Sequence, residues 1–156
     1  MILYHGSNIE IDEILLSKGR HGKDFGKGFY LSADYKQAVR MSENVVRREG
    51  WGTPVVTKFE FEESASERLS IKHFDGYTED WARFVLENRR NFSDKRIHSF
   101  DIVIGPIAND AVGVQIRLLE RGFITFDKFL ENIKFTTPTV QYFFGTEEAV
   151  KFLRKL

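Results

Sequence analysis

The chain has no cysteine. That excludes disulfides, thiolate nucleophiles and Cys-ligated zinc in one step, and it agrees with a reducing, cytoplasmic setting. Proline is sparse: Pro54, Pro106 and Pro138 are scattered, so no Pro-rich linker divides the chain. Charge of one sign is lacking too. The 23 basic and 23 acidic residues cancel, so bulk electrostatics calls for neither nucleic acid nor an anionic membrane. Long apolar runs are missing. The longest, around "IVIGPIA", falls well short of the roughly 20 residues of a membrane span. The start, "MILYHGSN", has neither the basic nor the apolar region of a signal peptide. The four histidines, His5, His21, His73 and His98, are too scattered to imply a zinc site, and no metal is expected.

Aromatic residues are abundant. They make up 14% of the 156 residues, with 15 phenylalanines. A chain of this length suits one domain, 1–156, and hides roughly 70% of its unfolded surface on folding.

Hydrophobic periodicity predicts the elements in order. "MILYH" reads as a strand and "IDEILLSKG" as a short helix stopped by Gly19. "RHGKDFGKG" is a loop and "FYLS" a strand. Residues 34–49 read as a helix capped by Asp34 and stopped by Gly50, with Ala38, Met41 and Val45 on one face. In "TPVVTKFEFEES", Val55, Thr57, Phe59 and Phe61 alternate with polar positions, as a half-buried strand requires. "ERLSIKHF" allows another short strand. "TEDWARFVLENRR" is an amphipathic helix with Trp81, Phe84 and Val85 inward. "FDIVIGPI" reads as a central strand, "NDAVGVQIRLLERG" and "FDKFLENI" as helices, and "TVQYFF" as a strand. In "GTEEAVKFLRKL", Thr146 would cap a helix with acids early and bases late, the order a helix dipole favours. The mixed order predicts an α+β fold rather than a doubly wound sheet.

Two stretches carry chemistry. In "YHGS", His5 can exchange one hydrogen bond with a sugar hydroxyl and Ser7 adds a hydroxyl. Gly6, lacking a side chain, lets a flat amide reach its backbone N–H and C=O. Taken alone, a strand-end turn with a satisfied histidine explains the motif as well. "DFGKGFYLS" is Gly-rich, but neither phosphate-binding spacing, G-x-x-x-x-G-K-[ST] or G-x-G-x-x-G, is present, and the loop enters a strand rather than a helix. Tyr30 offers a wall for a flat ligand, or a core ring.

Together, "LYHGSN" followed by "FGKGFYLSADYKQAV" resembles the catalytic domain of the poly(ADP-ribose) polymerases and the diphtheria-toxin-like ADP-ribosyltransferases. The resemblance covers the first quarter of the chain, and "TVQYFFGTEEAVKFLRKL" looks like the family's third segment. It implies a split β-sandwich, two antiparallel or mixed sheets around an NAD cleft, with flanking helices. It implies NAD as co-substrate and a catalytic His5, Tyr30 and Gln141, with Gln141 where the family carries glutamate. His5 would hold a ribose hydroxyl, Gly6 the nicotinamide amide, and Tyr30 the nicotinamide ring. The binding set extends to Ser7, Phe25, Gly26 and Gly28. Gln37 and Arg40 fall where the family has a serine and a second tyrosine. Such a compact bacterial member would transfer one ADP-ribose to a protein or nucleic-acid acceptor, as a toxin with a possible antitoxin partner, without a membrane. A non-catalytic NAD or ADP-ribose module is the alternative.

Gln141 keeps hydrogen-bond acceptance but has neither the charge nor the basicity of a carboxylate. Losing a general base typically costs about 10²–10⁴-fold. Asp110, Glu147 or Glu148 could supply the base instead. Asn109 and Asp110 read as a helix cap or as acceptor-site residues. The run "RRNFSDKR" reads as a solvated helix end or a phosphate-contacting patch.

Overall fold

The computed structural model describes residues 1–108 and 110–156, for Asp110 the backbone alone. The fold is α+β, with seven strands and five helices among the described residues. The strands are β1 (Ile2–Ser7), β2 (Phe29–Ser32), β3 (Val55–Phe61), β4 (Ile71–His73), β5 (Ile102–Pro106), β6 (Val140–Phe144) and β7 (Leu153–Lys155). The helices are α1 (Tyr35–Glu49), α2 (Glu79–Arg89), α3 (Asp110–Glu120), α4 (Phe126–Ile133) and α5 (Glu147–Val150). Among the described residues, no helix is long and apolar enough to cross a membrane.

Hydrogen bonding runs through one sheet in the order β4-β5-β6-β2-β1-β3-β7. The resemblance implies two sheets, and the structure shows one, with a narrow seam. β1 and β2 are joined by a single ladder pair, Tyr4 with Ser32. β1–β3 runs over six pairs and β2–β6 over four. Two apolar clusters form on the faces. Phe25, Trp81, Val85, Val103, Ile116, Phe129 and Phe143 make one, backed by α2, α3 and α4. Leu3, Leu31, Phe59, Phe61, Ile102 and Phe144 make the other.

Local signals hold where they are self-contained. Asp34 accepts from the Lys36 N–H at 2.9 Å and starts α1. Gly50 ends it at φ 74°, a conformation glycine adopts without strain. Thr78, Thr125 and Thr146 cap α2, α4 and α5 in the same way. Three expectations fail. Residues 11–15 form no helix, and only Leu16–Lys18 make a 3-10 turn. There the Ile11 N–H is taken by Thr57 Oγ1 at 3.0 Å, while Lys155 holds Glu10 and Asp12. The C-terminal helix stops after four residues, and the chain extends as β7 against β3, with Arg154 paired to Glu60. The third concerns "FDIVIGPI": as β5 it lies second from the edge, and β2 is central. Its continuous apolar run reflects cover on both faces, since Val103 and Ile102 belong to opposite clusters.

Candidate functional site

A small open cleft lies over the seam, with about 40 Å³ of room for water-sized molecules, well below the roughly 300–1,000 Å³ of preformed ligand pockets. Strands β1, β2 and β6 supply Tyr4, Gly6, Tyr30, Leu31, Ser32 and Gln141; α1 supplies Gln37, Ala38 and Met41; Ile107 closes one side. That side is held from α2 and the turn before it. Trp81 Nε1 donates to the Pro106 carbonyl at 3.0 Å, and the Tyr77 hydroxyl donates to the Ile107 carbonyl at 2.9 Å.

Gly6 is constrained twice. A Cβ there would lie 2.0 Å from the Ala38 carbonyl oxygen and 2.8 Å from the Ser42 nitrogen, so glycine lets α1 sit directly on β1. Its backbone polar groups also have a direction. Met1 and Phe61 exchange both hydrogen bonds across β1 and β3. Alternation then turns Leu3, His5 and Ser7 toward β3, and the N–H and C=O of Gly6 toward β2. The β1–β2 ladder contains no Gly6–Tyr30 pair to receive them.

The imidazole of His5 fills that gap in the ladder. Its Nδ1 bonds the Tyr30 carbonyl at 2.7 Å. A carbonyl only accepts, so Nδ1 carries the proton and neutral Nε2 is an acceptor. Nε2 has no partner, and no buried side-chain nitrogen or oxygen among the described residues lacks one, so Nε2 reaches solvent. Burial lowers the His5 pKa; the Tyr30 carbonyl opposes the shift, and the nearby Lys23 charge adds to it. The ring leaves the opposite face of β1 from Tyr4 and Gly6 and stacks on Phe29 at 4.3 Å, so His5 adjoins the cleft at the seam rather than lining it.

Tyr30 lines the cleft with its ring and holds the preceding loop with its hydroxyl. The hydroxyl donates to the Gly26 carbonyl at 2.7 Å and accepts from the Phe25 N–H at 3.0 Å. Burial, then the charge of Asp24, raises its pKa well above 10. The Lys23 ammonium lies 5.5 Å from the ring centroid. Burial lowers the Lys23 pKa; Asp24 opposes the shift, while Arg48, Arg20 and Arg89 add to it. The Lys23 ammonium and the Asp24–Arg89 pair therefore lie at this edge of the site.

Gln141 is 9% exposed. Its Nε2 donates to Asp24 Oδ2 at 3.1 Å and to the Pro106 carbonyl at 3.4 Å. Asp24 is paired in turn with Arg89 Nε at 2.8 Å. On sequence Asp24 is no candidate, and Arg89 is one only as part of the basic run. Asp24 is an unremarked neighbour of "FGKG", and its partners lie 65 and 117 positions away.

The other sequence candidates disperse. Phe25 is fully buried in the core and offers a ligand nothing. Gly26, at φ 102°, faces a separate polar cleft bordered by His21, Lys27, Asn88, Asp94 and His98. Gly28 is needed for packing, since a Cβ would lie 2.6 Å from the Phe144 carbonyl oxygen and 2.4 Å from the Phe143 ring. The Ser7 hydroxyl bonds Asn8 Oδ1, outside the cleft. Arg40 is exposed and donates to Gln37 Oε1 at 2.8 Å, so only Gln37 of that pair lines the cleft. Glu148 pairs with Lys151 on the surface. Asn109 and the side chain of Asp110 lie outside the described residues. In the basic run, Arg89 is committed to Asp24 and Arg96 donates to the Phe100 carbonyl, which weakens a phosphate-contacting role.

Fold and cleft together describe an α+β domain with a small open cleft above a nearly parted sheet. Among protein families, residues 1–155 match the one described as "Protein of unknown function (DUF3990)", and the chain belongs to that family. Comparison with curated proteins gives no match.

Proposed function

We propose that this chain is an NAD-dependent mono-ADP-ribosyltransferase of the kind its two N-terminal motifs resemble. The carrying observation is the seam. The motif histidine and glycine on β1 and the tyrosine on β2, the next strand in the chain, come together where the two strands part, with His5 Nδ1 on the Tyr30 carbonyl. The cleft is open to solvent, and a flat ring would enter it from that side. A nicotinamide amide would pair with the Gly6 backbone and its ring would lie on Tyr30. The pyrophosphate would run toward Lys23, Arg20 and Arg48. Lys23 stands over the same ring, so a cationic nicotinamide shares it once the ammonium turns to the phosphates.

Reaction breaks the bond between nicotinamide and the anomeric carbon. Nicotinamide leaves with the bonding pair, an oxocarbenium-like ion forms, and the acceptor nucleophile bonds that carbon and loses its proton. His5 Nε2 and the Gln141 amide can hold sugar hydroxyls. The acceptor is a protein or nucleic acid, and the setting we favour is a cytoplasmic toxin held by an antitoxin. A non-catalytic NAD or ADP-ribose module is the second reading. It is favoured by the uncharged Gln141 and by an adjacent carboxylate already neutralised by Arg89. Incubation with NAD separates them. Released nicotinamide, or one ADP-ribosyl unit added to a partner, supports transfer; tight binding of intact NAD supports the module; no binding removes both.

A further inference from the structure

The two neighbours of the Gln141 amide nitrogen, the Asp24 carboxylate and the Pro106 carbonyl, are both acceptors. Chemistry therefore fixes which way the amide faces: its NH₂ must point at them. Neither neighbour is free to yield. Pro106 also receives Trp81 Nε1. Asp24 is gripped by Arg89 Nε at 2.8 Å and by the Ala108 N–H at 3.5 Å. The amide oxygen consequently turns the other way. It has no partner, and since no buried side-chain oxygen among the described residues is unpartnered, it opens on the cleft that Gln141 lines.

We propose that Asp24 is a positioning residue that locks Gln141 with its amide oxygen presented to the cleft, as an uncharged acceptor for a ligand hydroxyl. The same contact accounts for an amide at this position of β6. A carboxylate there would face the Asp24 carboxylate at hydrogen-bond distance, with a single guanidinium between them and solvent. The hydroxyl is that of the ribose beside the bond that breaks; this assignment rests on the NAD reading, whereas the orientation of the amide does not.

The test begins with side-chain amide exchange, read by nitrogen-edited NMR on the full chain without ligand. The Gln141 NH₂ protons are expected to exchange at least about tenfold more slowly than those of exposed glutamines, consistent with a held hydrogen bond. In Asp24→Asn, Arg89 draws the new amide oxygen, and the new NH₂ faces Gln141. The Gln141 NH₂ keeps only the Pro106 carbonyl, at 3.4 Å, so the amide is no longer held in one orientation and its protection falls. Free exchange in the unmodified chain, or protection unchanged in Asp24→Asn, overturns the proposal.

Should Asp24→Asn fail to fold, Gln141→Glu gives an independent reading. Two facing carboxylates raise the folded-state proton affinity of the pair. Relative to the unmodified chain, the variant's urea midpoint is then highest at acid pH and falls further behind as pH rises above the ordinary carboxylate range. A difference that stays constant with pH overturns the proposal, as does failure of Asp24→Asn to remove that trend when added to Gln141→Glu. The ligand is probed with NAD and with NAD lacking the 2′-hydroxyl of the nicotinamide ribose. Loss of that hydroxyl is expected to weaken binding about tenfold in the unmodified chain and less than about threefold in Asp24→Asn. A protected Gln141 amide in a chain that binds no NAD supports the positioning role and rejects the NAD reading.

Discussion

Replacing Tyr30 by phenylalanine separates the two jobs of that residue. The ring stays; the hydroxyl between the Phe25 N–H at 3.0 Å and the Gly26 carbonyl at 2.7 Å goes. Two backbone groups lose their partner at once. An orphaned buried group costs about 1–3 kcal/mol. Phe25 is fully buried, so its N–H has no water to turn to; Gly26 is half-buried, so its carbonyl does. The sum expected is about 2 kcal/mol, most of it from Phe25. For a domain of this size that lowers Tm by roughly 4–8 °C. Urea unfolding measures the loss, and hydrogen exchange at the Phe25 amide locates it. NAD affinity should fall only modestly, because the ring that would meet the nicotinamide is retained. A stability change under about 0.5 kcal/mol, with the Phe25 amide still protected, would refute the reasoning. Tyr30→Ala is the harsher variant. It also strips the ring from Phe143, 5.1 Å away, and from Phe25, at a cost of about 3–5 kcal/mol, so weakened NAD binding there has to be judged beside its stability.

Gly6→Ala should destabilise by about 2 kcal/mol or more and shift α1, because the new methyl meets backbone atoms of Ala38 and Ser42; denaturant midpoints and α1 amide shifts report it. Stability should fall as pH drops below 6.5. Burial holds His5 and His98 below that value in the fold, so the unfolded chain takes up protons first. The loss is absent above 6.5 and levels off once the folded-state pKa values are passed. A combined His5→Asn and His98→Gln variant, which keeps donors to the Tyr30 and Phe25 carbonyls, should flatten urea midpoints measured across that range. The double variant Asp24→Asn with Gln141→Glu moves the single carboxylate onto β6 and should raise NAD hydrolysis above that of the unmodified chain, read as nicotinamide released.

What the sequence discloses is local. Helix α1 announces itself through Asp34, Ala38 and Gly50, because cap, stripe and stop lie within one stretch of chain. The failures share one cause, a contact from far along the chain. Ile11 and Ile14 carry helix-like spacing, yet Thr57 and Lys155 capture the backbone and acids around them. The acid-then-base order after Thr146 resembles a helix dipole, but Arg154 belongs to Glu60 and the segment to the sheet edge. The site divides in the same way. His5, Gly6 and Tyr30 stand out as members of short motifs, and Gln141 by its place in an aromatic strand. The Arg89–Asp24–Gln141 contacts join three separate segments, and none of the three shows in its own sequence that it meets the others. Gly28 and Phe25 show the converse, motif residues whose positions serve packing against β6 and the core.

The most direct measurement is a crystal structure of the chain soaked with NAD. The expected result is density over the β1–β2 seam, with the carboxamide on the Gly6 backbone, the pyridinium on Tyr30, and ribose hydroxyls within hydrogen-bond reach of His5 Nε2 and the Gln141 amide oxygen. A cleft that stays empty at saturating NAD, or a dinucleotide seated elsewhere with these groups untouched, would contradict it.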